Sequence, residues 1–428
     1  MLIRFEVANF RSILDPVELS MVAVDQDRTE TRPVANLGES LLSVAGVFGP
    51  NASGKTNVVA ALTWIRNAVA DSLRLWDDGI PVEPFAFASG HGRPSEFTVE
   101  SVIGGVRFEY VVELDPVTVR YEGLFHYPEK KRRRIFERVG AELTLQRGLG
   151  NLSGTRELLT DRTLALSIAR RFNEPVVSDF ANDLLAIQTL GQRSRSGFYR
   201  APDVSPLTLR WFEEREDSEQ PVLPGFEDLV AFRTGRAQAL ALLRLADLGI
   251  DDVVIDKVPV PSLDPESGRP TIGRRRVRLV HRTTQERVPF DLDAESEGTR
   301  TWFRLIGPVL NALRSGSLLL FDELDGSLHP TLAAQVIQLF HDPGTNPADA
   351  QLIFTTHDTS LLNHLNRDEV WLTEKTEDGT TRLGALAEFA GERVRRSQNL
   401  ERAYLHGRFG ALPDIDRTDM LRALGLIG

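Results

Sequence analysis

The residues best equipped for chemistry are Gly49-Pro50-Asn51-Ala52-Ser53-Gly54-Lys55-Thr56, which carry the pattern of a phosphate-binding loop. Glycines at 49 and 54 let the backbone curl until its N–H groups face one anion. Lys55 adds a point charge toward β- and γ-phosphates, and the Thr56 hydroxyl can ligate Mg²⁺. Lysine is scarce in this chain: only Lys55, Lys130, Lys131, Lys257 and Lys375 occur among 50 basic residues, so a rare residue stands where the chemistry needs it.

Three later stretches supply matching groups. Ser317-Leu318-Leu319-Leu320-Phe321-Asp322-Glu323 reads as a buried strand ending in adjacent carboxylates, Asp322 suited to the shell of a Mg²⁺ ion and Glu323 to polarising a water in line with a γ-phosphate. Gln351 to Asp358 reads as a further apolar strand that delivers His357, whose ring can donate a hydrogen bond to the same phosphate. At a helix start, Asp293 to Arg300 places Ser296 and Gly298 so that a hydroxyl, backbone N–H groups and the helix dipole suit an anion. Taken singly, the three later stretches also describe an acidic turn, a surface histidine and a plain N-cap, while a glycine turn that meets the loop pattern by accident is rare. Their occurrence together, in this order, favours the chemical reading.

Positioning them requires strands that end side by side. The apolar run Leu41, Leu42, Val44, Ala45, Val47, Phe48 predicts a buried strand before the loop, and Val58, Val59, Leu62, Ile65 and Val69 predict a helix over Lys55–Leu75 after it. Leu2–Val7 and Val17–Val24 read as lead-in strands. Glu96–Val102, Val106–Leu114, Val117–Leu124 and Arg134 onward to Leu145 alternate with period two, an antiparallel β lobe. From about Asn151 the spacing turns helical, through Leu158–Ile168, Phe180–Leu190 and Phe226–Leu248. Beyond Val253 strands and helices alternate, with helices at Glu297–Leu313, at Pro330–Leu339 and near Thr359–Leu365 and strands at Ser317–Phe321, Gln351–Thr355 and Glu369–Leu372, the order of a parallel sheet covered by helices. The division read from these patterns is 1–150 (loop and β lobe), 151–250 (helical insertion) and 251–428 (carboxylate strand, helix-start motif and histidine).

Composition narrows the class. With 428 residues and 41% hydrophobic content the chain can build a large core, and the absence of cysteine removes disulfides and thiolate chemistry. Met1 to Val7 lacks the apolar stretch of a signal peptide, and there is no run of about 18 apolar residues to cross a bilayer, so the expectation is a cytoplasmic protein without membrane contact. A net charge of −11 disfavours a globally basic nucleic-acid binder. Local basic clusters, Lys130-Lys131-Arg132-Arg133-Arg134, Arg274-Arg275-Arg276 with Arg278, and Arg393, Arg395 and Arg396, keep nucleic-acid contact open.

In this order the four signals resemble the nucleotide-binding domains of the ABC ATPase superfamily, in the soluble branch related to SMC, Rad-type and RecF repair proteins. The resemblance aligns Gly49, Asn51, Gly54, Lys55 and Thr56 with Walker A, and Asp322 and Glu323 with Walker B and the catalytic glutamate. Leu324-Asp325-Gly326-Ser327-Leu328-His329-Pro330 aligns with the D-loop and His357 with the switch histidine. Ser296-Glu297-Gly298 is similar to a diverged signature motif, with Glu297 replacing one of two glycines. No glutamine between Asn57 and Leu145 fills the family's Q-loop, which leaves Gln146 and Gln188 as stand-ins.

The resemblance implies an α/β, ABC-type P-loop ATPase head: a mixed and largely parallel sheet core with helices, an antiparallel β lobe and a helical insertion. It implies ATP and Mg²⁺ as cofactors, held by Gly49, Pro50, Asn51, Ala52, Ser53, Gly54, Lys55, Thr56 and Asn57 of one copy with Asp322 and Asp325, and by Ser296 and Gly298 of a second copy across a homodimer interface. Leu2–Ile13 and Tyr404–Pro413 further resemble the ends of RloA-like proteins of abortive-infection loci, whose ATPase is similar to that of OLD nucleases. Only about 70 residues follow His357, fewer than a typical domain, so a Toprim-type nuclease would be an RloB-like effector in trans. The resulting expectation is an ATP-hydrolysing sensor or switch in anti-phage defence. A RecF-type ATPase acting directly on DNA and a nucleotide-binding scaffold without turnover remain alternatives.

Overall fold

The computed structural model describes residues 1–191, 205–213, 227–246, 249–258, 274–389 and 401. In chain order the first part forms β1 (Leu2–Ala8), β2 (Val17–Ser20), β3 (Thr31–Val34), β4 (Glu39–Leu42), β5 (Val44–Phe48), α1 (Lys55–Leu75), β6 (Ser95–Ile103), β7 (Val106–Leu114), β8 (Val119–Tyr127), β9 (Arg133–Val139), β10 (Glu142–Leu145), α2 (Thr155–Leu158), α3 (Ala165–Ala169), α4 (Pro175–Leu185) and β11 (Gln188–Leu190). Then follow α5 (Pro206–Phe212), α6 (Glu227–Ala246), β12 (Ile250–Val258), β13 (Arg274–Arg282), β14 (Arg287–Asp291), α7 (Glu297–Ser315), β15 (Leu318–Phe321), α8 (Leu324–Ser327), α9 (Pro330–His341), β16 (Gln351–Thr355), β17 (Val370–Lys375), β18 (Thr381–Ala385) and α10 (Leu386–Phe389). They fall into two units, one made of the described residues within Met1–Gln192, Gly316–Gly326 and Ile337–Gly428, the other of those within Arg193–Ser315 and Ser327–Val336.

The first unit carries two sheets. One is antiparallel, in the order β10-β9-β8-β7-β6-β1-β2; the other runs β11-β15-β16-β5-β17-β18 and is parallel except at β18. Period-two alternation explains the first: along β7 the buried positions are Phe108, Tyr110, Val112 and Leu114. The central strands of the second are apolar on both faces, and β5, β15 and β16 are buried throughout. Helix α1 buries Val58, Val59, Leu62, Ile65 and Val69 in one core cluster with residues of both sheets. Trp64 extends that core by stacking on Phe97 at 4.6 Å.

Three local departures from the sequence reading have physical causes. The run Leu41–Phe48 is two strands, because buried Ser43 turns the chain from pairing with β3 to pairing in the parallel sheet. Gln188–Leu190, read as the end of a helix, forms β11 and pairs in parallel with β15, since tertiary pairing overrides the weak helical spacing of so short a segment. The segment Thr359–His364 is a 3-10 turn rather than an α-helix, capped where Asp358 Oδ1 accepts the Ser360 amide. The described residues of 151–191, placed in a helical insertion by sequence, lie in the first unit.

The second unit packs α5, α6 and α7 with the antiparallel sheet β12-β13-β14. Phe212 stacks on Phe303 at 5.2 Å, and the buried Trp302 indole donates to the Leu242 carbonyl at 2.7 Å. Of the stretches singled out by sequence, Tyr404–Pro413, Arg393, Arg395 and Arg396 lie outside the described residues. Among the described residues no helix is long and apolar enough to cross a membrane.

Edge strand β11 is tied to the carboxylate strand at its end. The Asp322 amide donates to the Leu190 carbonyl at 2.9 Å, and Gly191 follows with φ 78°, where a Cβ would collide with the Asp322 carbonyl oxygen. Gly191→Ala is therefore expected to lower unfolding free energy by roughly 1–3 kcal/mol. Denaturant titration measures this, and unchanged stability would contradict the contact.

Candidate functional site

The loop leaves β5 at Gly49 and joins α1 at Lys55. Gly54 has φ 103°, and a Cβ there would strike the Thr381 hydroxyl, so only glycine lets the loop close against β18. Buried hydroxyls hold the loop from behind. Ser53 Oγ lies 2.6 Å from Thr373 Oγ1, the Thr373 hydroxyl donates to the Phe48 carbonyl at 3.1 Å, and Thr381 Oγ1 donates to the Ser53 carbonyl at 2.8 Å. Lys55 is 5% exposed, and its ammonium donates to the carbonyls of Gly49 at 2.7 Å and Pro50 at 2.9 Å.

Parallel pairing brings the carboxylates to this loop with β16 between β15 and β5. Asp322 Oδ1 accepts hydrogen bonds from Thr56 Oγ1 at 3.0 Å and Thr355 Oγ1 at 2.7 Å. The fully buried Thr355 hydroxyl also accepts the Glu323 amide at 2.8 Å. That amide belongs to a strained residue, for Glu323 has φ 56° with an exposed side chain, and its carbonyl accepts the Gly326 amide at 3.1 Å.

Asp325 fastens the next strand end. It accepts the Thr356 hydroxyl at 2.7 Å and the His357 amide at 3.1 Å. His357 Nδ1 lies 3.1 Å from the Lys55 ammonium, which can only donate, so Nδ1 is the acceptor and Nε2 carries the ring proton. His357 thus presents a hydrogen-bond donor at Nε2.

One cavity of about 590 Å³ collects Asn51, Ala52, Gly54, Lys55, Thr56 and Asn57 with Glu323, Asp325 and His357. Its size lies in the ordinary range for small-molecule sites. Gly49, Pro50, Ser53 and Asp322 support it through the bonds above. Ser296 and Gly298 lie in the second unit, exposed at the start of α7, where Ser296 Oγ accepts the Thr299 amide at 3.1 Å as an N-cap. Neither glutamine stand-in lines the cavity: the Gln146 amide donates to the Ile135 carbonyl in the β lobe, and Gln188 Nε2 lies 3.4 Å from Ser317 Oγ, at the end of β15 away from Asp322.

Sequence reasoning passed over Thr355, Thr373, Thr381, Ser12 and the cavity role of Lys375. The signal for Thr355 and Thr373 was faint, a hydroxyl following an apolar run where a purely hydrophobic strand would use valine, and Thr381 opens the strand Thr381-Arg382-Leu383-Gly384-Ala385, which has no such run. The basic clusters are largely spent on ion pairs. Arg132 meets Glu109, Arg133 meets Glu129, Arg134 meets Glu137, Arg275 meets Glu213, Arg276 meets Asp291 through two bonds, and Arg278 meets Asp256.

A phosphate loop on a buried parallel strand, with a lysine at its base and a carboxylate pair on a strand nearby, defines a P-loop site of the ATPase type. Residues 44–363 match the family described as "AAA domain, putative AbiEii toxin, Type IV TA system", and the chain belongs to that family. No curated protein matches it in sequence. Among solved structures it is similar to an SmcHead bound to the C-winged helix domain of ScpA (12% identity, 90% of this chain and 97% of that one covered, TM-score 0.42). It is also similar to the SMC head domain from Thermotoga maritima (10%, 90% and 98%, 0.39) and to the Smc head with an extended coiled coil bound to the C-terminal domain of ScpA derived from Pyrococcus furiosus (10%, 90% and 97%, 0.38).

Two outcomes follow from this geometry. Thr355→Val keeps the strand shape but strips a donor from Asp322 and an acceptor from the Glu323 amide, and is expected to cost about 1–3 kcal/mol in denaturant unfolding; a neutral result would remove Thr355 from the site. Burial lowers the pKa of the Lys55 ammonium to about 8, against the opposing pull of Asp325, Glu323 and Asp322. A phosphate anion favours the charged amine, so above that pH binding takes up a proton and weakens by about tenfold per unit, levelling off below it. Calorimetry in two buffers of different ionisation enthalpy reads the proton directly, and no uptake at about pH 8.5 would contradict the assignment.

Proposed function

We propose that this protein binds and hydrolyses ATP with Mg²⁺ between two copies of itself, and that the nucleotide cycle switches a partner effector in prokaryotic anti-phage defence. The observation that carries the reading is the cavity that gathers Lys55, Thr56, Glu323, Asp325 and His357. The family description, a putative AbiEii toxin of a type IV TA system, supports a toxin–antitoxin role of the kind that serves defence, while the RloA-like kinship is proposed from the resemblance of Leu2–Ile13 and Tyr404–Pro413. An RloB-like, Toprim-type effector in trans is the partner this reading calls for.

The donor set suits the metal. Thr56 Oγ1 and Asp322 Oδ1 stand 3.0 Å apart, a hydroxyl and a carboxylate side by side, and Mg²⁺ prefers one or two such oxygens with water and phosphate completing its shell. When bound, Mg²⁺ supplies charge neutralisation for the β- and γ-phosphate oxygens. The protein's own residues do the rest. Lys55 exchanges its bonds to the Gly49 and Pro50 carbonyls for phosphate oxygens, and His357 donates from Nε2 to the γ-phosphate. Glu323 orients a water and takes its proton as the water attacks the γ-phosphorus and the bond from that phosphorus to the β–γ bridging oxygen breaks, releasing ADP and phosphate, and Asp325 keeps His357 in place through its backbone.

Ser296 and Gly298 enter from the second copy. Their exposure at the start of α7 supports this role, since free N–H groups at a helix N-terminus attract phosphate. In this reading ATP joins the copies and hydrolysis parts them, which is the signal an effector senses. The pairing of most arginines in the two described basic clusters counts against the RecF-type alternative.

Glu323→Gln should lower steady-state ATP hydrolysis by about 10²-fold or more while ATP binding persists. The same variant should accumulate a dimer with ATP and Mg²⁺ but remain monomeric without them, as read by light scattering on a sizing column. Unchanged turnover, or a monomer under all conditions, would sink the proposal. Turnover that rises steeply on adding duplex DNA would favour the repair reading instead.

A further inference from the structure

Two of the chain's five lysines line the cavity of about 590 Å³. Lys55 belongs to the loop; Lys375 ends β17, far away in sequence. It is exposed, and among the described residues its ammonium has neither a hydrogen bond nor an ion pair. Most arginines of the two described basic clusters behave otherwise, being matched to carboxylates. An unmatched cation at a cavity built for phosphate is a ready partner for an anion.

The hairpin that presents Lys375 is itself anchored to the loop. Its turn is closed by the Thr376 amide on the Thr380 carbonyl and the Gly379 amide on the Thr376 carbonyl, both at 2.9 Å. Lys375 pairs in register with Thr381, whose hydroxyl bonds to the Ser53 carbonyl and lies 2.7 Å from Ser12 Oγ. Ser12 Oγ in turn accepts from Asn57 Nδ2 at 2.6 Å. Ser12 and Asn57 are thus tied through Thr381 to the hairpin that carries Lys375, while Lys55, Asp325 and His357 are tied to one another, and all six line the cavity.

The second group holds the chemistry of the terminal phosphate. A nucleoside triphosphate also carries charge on its α-phosphate, beyond the reach of a lysine that serves the β- and γ-phosphates. Asn57 sits in the first turn of α1, beside the backbone N–H groups that cradle the α- and β-phosphates. We infer that Lys375, with Ser12 and Asn57, holds the nucleoside end of the bound nucleotide, its ammonium paired with α- and β-phosphate oxygens. This rests on the nucleotide reading above and adds a binding residue from outside the loop. Lysine suits such a role, because a compact, mobile charge on a four-carbon stem reaches an anion without needing a fixed planar geometry.

The test is calorimetric affinity of the full chain for ATP and for ADP, in wild type and in Lys375→Ala, Lys375→Glu and Lys375→Arg. Because both nucleotides carry the α- and β-phosphates, Lys375→Ala should weaken both by the same factor of about ten, Lys375→Glu should weaken both further, and Lys375→Arg should bind close to wild type. Melting temperature without nucleotide should not move, since the side chain is exposed and unpaired among the described residues. The inference is overturned if ADP binds the alanine and glutamate variants as tightly as wild type, or if only ATP binding suffers. Wild type that binds neither nucleotide, like a Lys55→Ala control, would instead bring down the nucleotide reading and this inference with it.

Discussion

Three neighbouring parallel strands, locked in register, are the constraint on which the site depends. Leu320 pairs with Ile353 and Phe321 with Phe354, while Phe354 pairs with Gly46 and Thr355 with Val47. A slip of one residue would turn every side chain to the opposite face and separate the strand ends. Because the strands are buried on both faces, such a slip is costly, and Asp322, Thr355 and the start of the phosphate loop are held at one level. The Thr355 hydroxyl converts that alignment into chemistry, since it touches both Asp322 and the backbone of Glu323.

The site divides its labour by burial. Ser53, Thr355, Thr373 and Thr381 are sealed from solvent and bond to one another, to loop carbonyls or to the carboxylate strand, which fixes the backbone without leaving these hydroxyls unpaired. Asn51, Thr56, Glu323 and His357 are exposed and face exchange with a ligand. The left-handed backbone of Glu323 belongs to the same plan: a conformation that costs of order 1–3 kcal/mol persists because hydrogen bonds on both of its peptide groups determine it.

Charge is distributed with similar economy. The β lobe and the β12-β13-β14 sheet carry many arginines, yet most of the clustered ones meet a carboxylate within 3 Å. Exposed pairs of this kind add little stability, but they leave little free positive charge on those strands. Lys375, by contrast, brings its charge unpaired among the described residues to the cavity itself.

Residue chemistry and spacing alone determined the phosphate loop, the helix Lys55–Leu75, the carboxylate strand, the strand that ends before His357 and the antiparallel lobe. Each is a local pattern, a glycine-flanked lysine or an unbroken period of two or 3.6, whose meaning does not wait on the rest of the chain. Only tertiary structure decided that Gln188–Leu190 is a strand, that Leu41–Phe48 is two, and that Thr373, Thr381 and Lys375 come to the loop from far along the chain. Short segments take their conformation from the partner they pair with, and a hydroxyl or ammonium gains its role from what stands opposite, which no spacing along the chain records.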